Sequence, residues 1–250
     1  MGKIISIANQ KGGVGKTTTA VNLCASLVHR GKRVLLCDCD PQGNATSGMG
    51  IDKNNAISIY DVMMRGKDVE SAIISTKYGD VISSNKELVG ANVEIVDMEN
   101  REFLLKNALA PIRDKYDYIL IDCAPSLELL TLNTLCASDS VLVPVQCEYY
   151  ALEGLGDLMN TISLVNQRLN PDLKIEGILL TMYDTRTKLS DEVALELKNH
   201  FGGKVYSTTI PRNIRLSEAP SHGMPCIAYD RISKGTRSYL HLANEIMKNQ

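Results

Sequence analysis

The chain has 250 residues, 44% of them hydrophobic and 22% charged, with a formal net charge of −2. That length fits one α/β domain or at most a domain and a half, and the apolar fraction supports a buried core. Near-neutrality removes any whole-molecule bias toward nucleic acid, and no stretch approaches the ~18 unbroken apolar residues of a membrane span.

Met1 runs almost directly into Lys3–Ala8, an apolar run of the kind that forms a buried parallel strand, which leaves no room for a signal peptide. Gln10-Lys11-Gly12-Gly13-Val14-Gly15-Lys16-Thr17 follows, and Thr18–His29 then places Val21, Cys24, Ala25 and Val28 on one helical stripe. Gly31 stands where a helix-ending glycine sits. A glycine-rich turn between a strand and a helix is a phosphate loop. Gly12, Gly13 and Gly15 let successive N–H groups point inward around an anion, and the helix adds its N-terminal amides and dipole. Lys16 is placed to reach the β- and γ-phosphates, and the Thr17 hydroxyl to ligate Mg²⁺. One departure is informative: Gln10 occupies the position usually held by glycine, and a second lysine, Lys11, stands next to it. Lys11 lies on the outer part of the loop, badly placed for its own nucleotide. It is either a solvated lysine or a group that reaches a phosphate in a neighbouring subunit.

Arg33–Cys37 reads as the second strand, with Asp38 and Asp40 at its carboxyl end, where ligands bind in open α/β sheets. Residues two apart on an extended strand share a face, so both carboxylates can point at the nucleotide. A helix cap or a surface charge is the alternative for either. The segment 46–101 is less regular, with helical pieces around Ile59–Met64 and Glu87–Val96, and is taken as an elaboration of the same domain. Within it Asn85-Lys86-Glu87-Leu88 lacks the acid of a guanine-reading motif, which favours adenine. A helix over Glu102–Lys115 leads to the strand Tyr118–Ile121, which ends in Asp122 in the manner of a Walker B strand whose carboxylate holds Mg²⁺ through its water shell. Strands at Ser140–Val145, Gly177–Thr181 and Val205–Ile210 alternate with a helix over Leu152–Leu169. The last helix, Thr236–Lys248, turns Tyr239, Leu242, Ala243 and Ile246 to the core. Strand and helix alternating in this way predict a doubly wound, mostly parallel sheet with helices on both faces, a single P-loop domain over residues 1–250.

Charge and cysteines complete the reading. From Lys204 onward seven Lys/Arg face three acids, a local excess of positive charge able to touch phosphates. Seven cysteines without a C-x-x-C pair predict reduced thiols in a cytoplasmic core, neither a disulfide framework nor a zinc site.

Lys11-Gly12-Gly13-Val14-Gly15-Lys16-Thr17-Thr18 resembles the deviant Walker A motif of the ParA/MinD superfamily. Leu36-Cys37-Asp38-Cys39-Asp40-Pro41-Gln42-Gly43-Asn44 resembles its second signature, and Asp122-Cys123-Ala124-Pro125-Ser126 its Mg²⁺-sensing switch. The resemblance runs through nearly the whole chain. The stretches Gln146–Gly154 and Ile210–Ser221 look specifically like the ParA/Soj group, the short form without a preceding helix-turn-helix. It implies an ATP-sandwich dimer in which Lys11 touches the partner's phosphates, Asp40 associated with the attacking water, and Pro211 and Asn213 beside adenine. It also implies Arg186 and Arg215 as contacts to nonspecific double-stranded DNA. The implied cofactors are ATP and Mg²⁺. The implied partner is a ParB/Spo0J-type centromere-binding protein that accelerates a slow hydrolysis, in a cytoplasmic, nucleoid-associated setting with no membrane anchor. Two relatives in the superfamily give the alternatives: a MinD-like division-site ATPase, which should end in a membrane-binding amphipathic helix, and an iron–sulfur or metal-carrier ATPase, for which Cys123 is the nearest candidate.

Overall fold

A computed structural model describes residues 1–54, 57–148 and 151–249, with the side chains of residues 151–153 excepted. Seven strands, β1 (Lys3–Ile7), β2 (Val34–Cys39), β3 (Ile73–Thr76), β4 (Gly79–Ile82), β5 (Tyr118–Cys123), β6 (Ser140–Gln146) and β7 (Lys174–Thr181), form one sheet in the order β3-β4-β2-β5-β1-β6-β7. Every neighbouring pair is parallel except the β3–β4 hairpin at one edge. The helices are α1 (Lys16–His29), α2 (Asn44–Gly48), α3 (Ile59–Arg65), α4 (Leu88–Glu94), α5 (Leu104–Leu109), α6 (Leu129–Ala137), α7 (Ala151–Arg168), α8 (Lys188–Phe201), α9 (Ile214–Glu218), α10 (Cys226–Tyr229) and α11 (Lys234–Lys248).

Strand parity sorts the side chains into two cores, because successive residues point to opposite faces. Ile5, Ile7, Val34, Leu36, Tyr118 and Leu120 pack under α1, α2 and α9 to α11. Ile4, Leu35, Cys37, Ile119 and Ile121 pack under α3 to α8. Burying one such aliphatic side chain contributes ~1.5–3 kcal/mol. The same parity carries Asp38 and Asp122 onto the α1 face, since they continue the Val34–Leu36 and Tyr118–Leu120 series, and the β2–β5 register sets them directly opposite each other. The phosphate loop leaves β1 at the centre of this carboxyl edge, flanked by β5 and β6. The doubly wound sheet, the Gly31 helix stop (φ 80°) and the core-facing stripe of α11 are all as expected.

Three expectations need correction. Val205–Ile210 is no regular strand. Tyr206 N donates to Ile178 O (3.0 Å) and Ile210 N to Leu180 O (2.8 Å), yet Ser207 and Thr208 turn their amides to the Glu245 carboxylate of α11 (2.8 and 3.0 Å), which breaks the ladder. The irregular region 46–101 contains the β3–β4 hairpin, whose four-residue strands are too short to show a period. The helix expected over Glu102–Lys115 is α5 followed by a 3₁₀ stretch at Ala110–Lys115, where Pro111 supplies no amide to an α-helix. Five helices were unforeseen, the short α2, α9 and α10 and the longer α6 and α8. In α6 the run LLTLNTLCA is buried almost all round, so no stripe marks it; α8 does carry one, Val193, Ala194 and Leu197. Among the described residues no helix is long and apolar enough to cross a membrane.

Candidate nucleotide site

The phosphate loop is held from three sides. Asn9 donates to Pro144 O at the end of β6 (2.8 Å) and accepts from Lys11 N (2.9 Å). The Thr181 hydroxyl, ending β7, donates to Val14 O (2.8 Å). Gly13 and Gly15 adopt φ of 77° and 90°, a left-handed backbone that a side chain would strain. Gly15 caps α1 directly, so the helix's free amides open into the loop. Val14 is buried, while Gly12 and Gly13 are open to solvent. Thr17 and Thr18 form the first turn of α1. Neither Asn9 nor Thr181 was legible as a site residue, because each acts on the loop from another strand.

The two loop lysines do different things. Lys16 is 6% exposed and donates to Lys11 O (3.0 Å). Burial pulls its pKa down, and Asp122 foremost pulls it back up. Lys11 turns out of the loop and forms an ion pair with Glu148, both side chains remaining about one-third exposed. Gln10 likewise reaches outward, to Asp157 of α7 (3.0 Å).

Asp122 is fully buried, and neither of its oxygens closes a hydrogen bond to a described residue. Burial pushes its carboxyl well above the usual range and the facing Asp38 adds to this, while Thr17 and Lys16 favour the charged form. A buried carboxylate without donors, facing a helix-initial threonine hydroxyl and an ammonium, fits a hard cation held through oxygen. Among the described residues no group of three or more His, Cys, Asp or Glu is arranged to hold a metal alone. The donor set therefore suits Mg²⁺, which keeps waters and takes phosphate oxygens, and no closed protein cage is built.

Asp38 is already engaged. Its Oδ2 accepts from Thr46 N and from the Thr46 hydroxyl (both 2.7 Å), and its Oδ1 from Asp40 N (3.2 Å). Asp38 thus ties Thr46 of α2 to β2, whereas the helix is capped by Gly43 and by neither aspartate. Burial lifts the Asp38 carboxyl to about 6, against the pull of the Thr46 hydrogen bonds. Asp40 is 7% exposed and accepts from Gln42 N through Oδ1 (2.9 Å); its Oδ2 has no hydrogen-bond donor among the described residues. Thr46 was missed by sequence reasoning, and its hydroxyl also accepts from Ser84 N (3.0 Å).

Pro211 and Asn213 line a cavity of about 550 Å³ that also takes in Gly15, Thr18, Thr181 and Tyr239. It opens beside the loop, where a base attached to bound phosphates would lie. Asn213 caps α9, accepting from Arg215 N (2.9 Å). A larger groove of about 1050 Å³ between Lys53, Asp61, Arg65 and Glu87 lies away from the loop, and Arg65 pairs there with both acids. Arg186 and Arg215 are both exposed and neither lines the cavity beside the loop; Arg186 lines a neighbouring groove that shares Pro211 and Arg212 with it. Each is neutralised by its own chain, Arg186 by Asp184 (2.7 Å) and Arg215 by Glu218 (2.9 Å) and Asp230 (3.3 Å). Cys123 is buried on β5 and donates to the Thr134 hydroxyl (3.2 Å), and the other cysteines are free thiols, all buried except Cys147. Tyr149 and Tyr150, part of the Gln146–Gly154 stretch, lie outside the described residues.

Comparison with known proteins bears on this site. The family model described as an AAA domain (AAA_31) matches residues 2–175. The chain is 58% identical over 252 residues to the sporulation initiation inhibitor protein Soj of Bacillus subtilis, covering all of both chains. It is 54% identical over 251 residues to the chromosome partitioning protein ParA of Myxococcus xanthus, covering 99% of this chain and 89% of that one. Among solved structures, cobyrinic acid a,c-diamide synthase from Mycobacterium smegmatis with bound ADP and magnesium superposes with a TM-score of 0.88 at 37% identity, over all of this chain and 95% of that one. A loop, switch and sheet of this design, matched over the full length at such identity, place the chain in the Soj/ParA family of chromosome-partitioning ATPases.

Proposed function

We propose that residues 1–250 act as one P-loop ATPase domain that hydrolyses Mg·ATP. Two ATP-bound copies pair face to face, and the pair binds duplex DNA without sequence preference to segregate a chromosome or plasmid. The observation that carries this reading is Lys11. Its ammonium points away from its own loop to Glu148, while Lys16 already occupies the loop's interior. A lysine so placed serves a phosphate in a second copy better than one in its own site.

The roles follow from placement. The amides of Gly12, Gly13, Val14 and Gly15, with those opening α1 at Lys16, Thr17 and Thr18, cradle the phosphates. Lys16 exchanges the Lys11 carbonyl for phosphate oxygens. Thr17 and Asp122, with Asp38 behind, would hold Mg²⁺, which would supply charge neutralisation at the transferring phosphate. Asp40 keeps a carboxylate oxygen free of other donors, available to orient the attacking water. The new bond joins water oxygen to γ-phosphorus as the bond to ADP breaks, a step governed by positioning and electrostatics. Pro211 and Asn213 flank the base. Loss of the γ-phosphate removes what Lys11 of each copy holds, so the pair opens and leaves DNA. A ParB-type protein is the stimulating partner, and the nucleoid the place of action.

Binding to nonspecific duplex DNA, measured with no nucleotide, ADP and ATP for wild type, Asp40→Ala and Arg215→Ala, tests this. ATP-selective binding is expected, with Asp40→Ala retained on DNA and hydrolysing at least about 10²-fold more slowly. No binding with any nucleotide at low salt would sink the segregation reading and leave the ATPase standing.

A further inference from the structure

Two glycines far apart in the sequence meet where no side chain fits between them. Gly50 follows α2 with φ 79°, and Gly223 ends the 3₁₀ turn Ala219–His222 with φ 61°. A Cβ on Gly50 would stand 2.7 Å from Gly223 O, and one on Gly223 would stand 2.9 Å from Gly50 Cα, so the two backbones touch directly. Each glycine is a short step from the nucleotide site. On one side Gly50 N donates to Ser47 O (3.0 Å) and Ile51 N to Thr46 O (3.1 Å), and Thr46 is the residue held by Asp38. The stretch begins at Asp40, whose carbonyl accepts from Gly43 N (2.8 Å). On the other side Gly223 N donates to Pro220 O (3.0 Å), and Pro220 lines the cavity of about 550 Å³ beside the loop with Pro211 and Asn213. Cys226 N donates to Asn22 Oδ1 (2.8 Å), which fixes the far end of this segment to α1.

We infer that the contact between Gly50 and Gly223 positions the Asp40 loop for hydrolysis and makes that positioning depend on the base, a purine being the favoured occupant. Gly50 and Gly223 are positioning residues in this scheme. The inference rests on the roles proposed above for Asp40 and for the cavity beside the loop, and adds the link between them. Its physical ground is stiffness. Close-packed backbone atoms do not give way as a flexible side chain does, so a shift of Pro220 against a base is passed on to Gly50 and not absorbed. Thr46 is pinned by Asp38 and by Ser84 N, so a push at Gly50 turns α2 about that point and is felt at its other end, which leads back to Asp40. Small movements suffice, since a misplacement of about 1 Å can cost roughly 10²-fold in rate. A purine is larger than a pyrimidine, so ATP fills the cavity more fully than CTP, although their phosphates are the same.

The test compares turnover of ATP and CTP by full-length wild type, Gly50→Ala, Gly223→Ala and a control, Gly31→Ala. Gly31 has a positive φ of the same kind (80°), but an added Cβ there meets nothing within 4 Å. Wild type should turn over saturating ATP at least about tenfold faster than saturating CTP. In Gly50→Ala and Gly223→Ala that ratio should fall towards one, while the dissociation constant for ATP stays within about threefold of wild type. Gly31→Ala should keep the wild-type ratio. Gly223→Asn, which accepts a left-handed backbone but still carries a Cβ, should match Gly223→Ala. A general structural defect would slow both nucleotides alike and leave the ratio intact. Deuterium uptake by residues 44–51 of wild type needs no variant, and it should fall further with saturating ADP than with CDP. Equal turnover of ATP and CTP by wild type, equal uptake with the two diphosphates, or a wild-type ratio in both glycine variants overturns the link and leaves the ATPase reading standing. Normal hydrolysis by Asp40→Ala, or no hydrolysis of either nucleotide by wild type, removes that reading and this link together.

Discussion

Asp122 is unfavourable for the empty protein and, on the proposed function, required by the loaded one. A fully buried carboxylate facing a second one is costly to keep charged, which is why its pKa stands well above the usual range even though Thr17 and Lys16 favour the charged form. Asp122→Asn removes that burden at nearly constant volume. We expect the nucleotide-free variant to melt no lower than wild type in calorimetry, while Mg-dependent phosphate release falls at least about 10²-fold. Turnover within a few-fold of wild type would remove Asp122 from the metal site. Lys11 makes the converse case. Its pair with Glu148 is partly exposed, and such pairs are worth ~0–1 kcal/mol, so the contact holds the lysine aside at little cost to its release. Lys11→Ala should therefore still bind ATP but remain at the 27.4 kDa monomer mass in light scattering, where ATP drives wild type to twice that. An ATP-dependent dimer of the variant would refute the role across the interface.

At the scale of elements, the segment 205–210 links the sheet edge to α11 and to the base cavity. It lies against β7 only because residue 177 has no side chain: a Cβ there would come within 2.4 Å of the Tyr206 ring. Gly177→Ala should cost about 1–3 kcal/mol by forcing Tyr206 away, visible as a lower denaturation midpoint and as weaker nucleotide binding. If nucleotide affinity stayed unchanged, the coupling between this ribbon and the base cavity would be wrong. Glu245 fastens the other side, accepting from Ser207 N, the Ser207 hydroxyl and Thr208 N. Burial alone would raise its carboxyl, but these bonds overcome it and hold the group below its ordinary value. A depressed carboxylate stabilises fully above its unfolded pKa near 4.5 and loses that contribution as pH falls through the lower folded value. Glu245→Gln should thus cost about 1–3 kcal/mol at neutral pH, a deficit that shrinks in melts below about pH 4. A deficit independent of pH would point to packing instead of charge.

For the molecule as a whole, the two cores and the carboxyl edge act together. The sheet order puts β1 between β5 and β6, so the loop leaving β1 meets the β5 carboxylate on one side and the β6–α7 connection, with Glu148, on the other. On the proposed function, one sheet edge would thereby serve both the nucleotide and a second copy. The cavity beside the loop and a neighbouring groove of about 600 Å³ share the wall at Pro211 and Arg212.

The sequence by itself determined the phosphate loop, the two acidic strand ends and the parallel sheet, because each depends on local rules: glycines where φ must be positive, apolar runs for strands buried on both faces, acids at strand carboxyl ends. It also determined the core stripe of α11, whose period is intact over four turns. Tertiary structure decided what depends on distant partners. Asn9 and Thr181 became loop supports only once β6 and β7 flanked β1. Asp38 was tied to Thr46, eight residues on, and Asp122 was left without a donor. The ribbon 205–210 lost its ladder to a glutamate on the last helix. The pairing of the exposed arginines was likewise invisible in the chain. Arginine reads the same whether or not an acid stands beside it, and only packing shows that Arg186 and Arg215 are paired. Charge is written in the sequence, but its neutralisation is a matter of geometry, because Coulomb attraction depends on distances that folding alone sets.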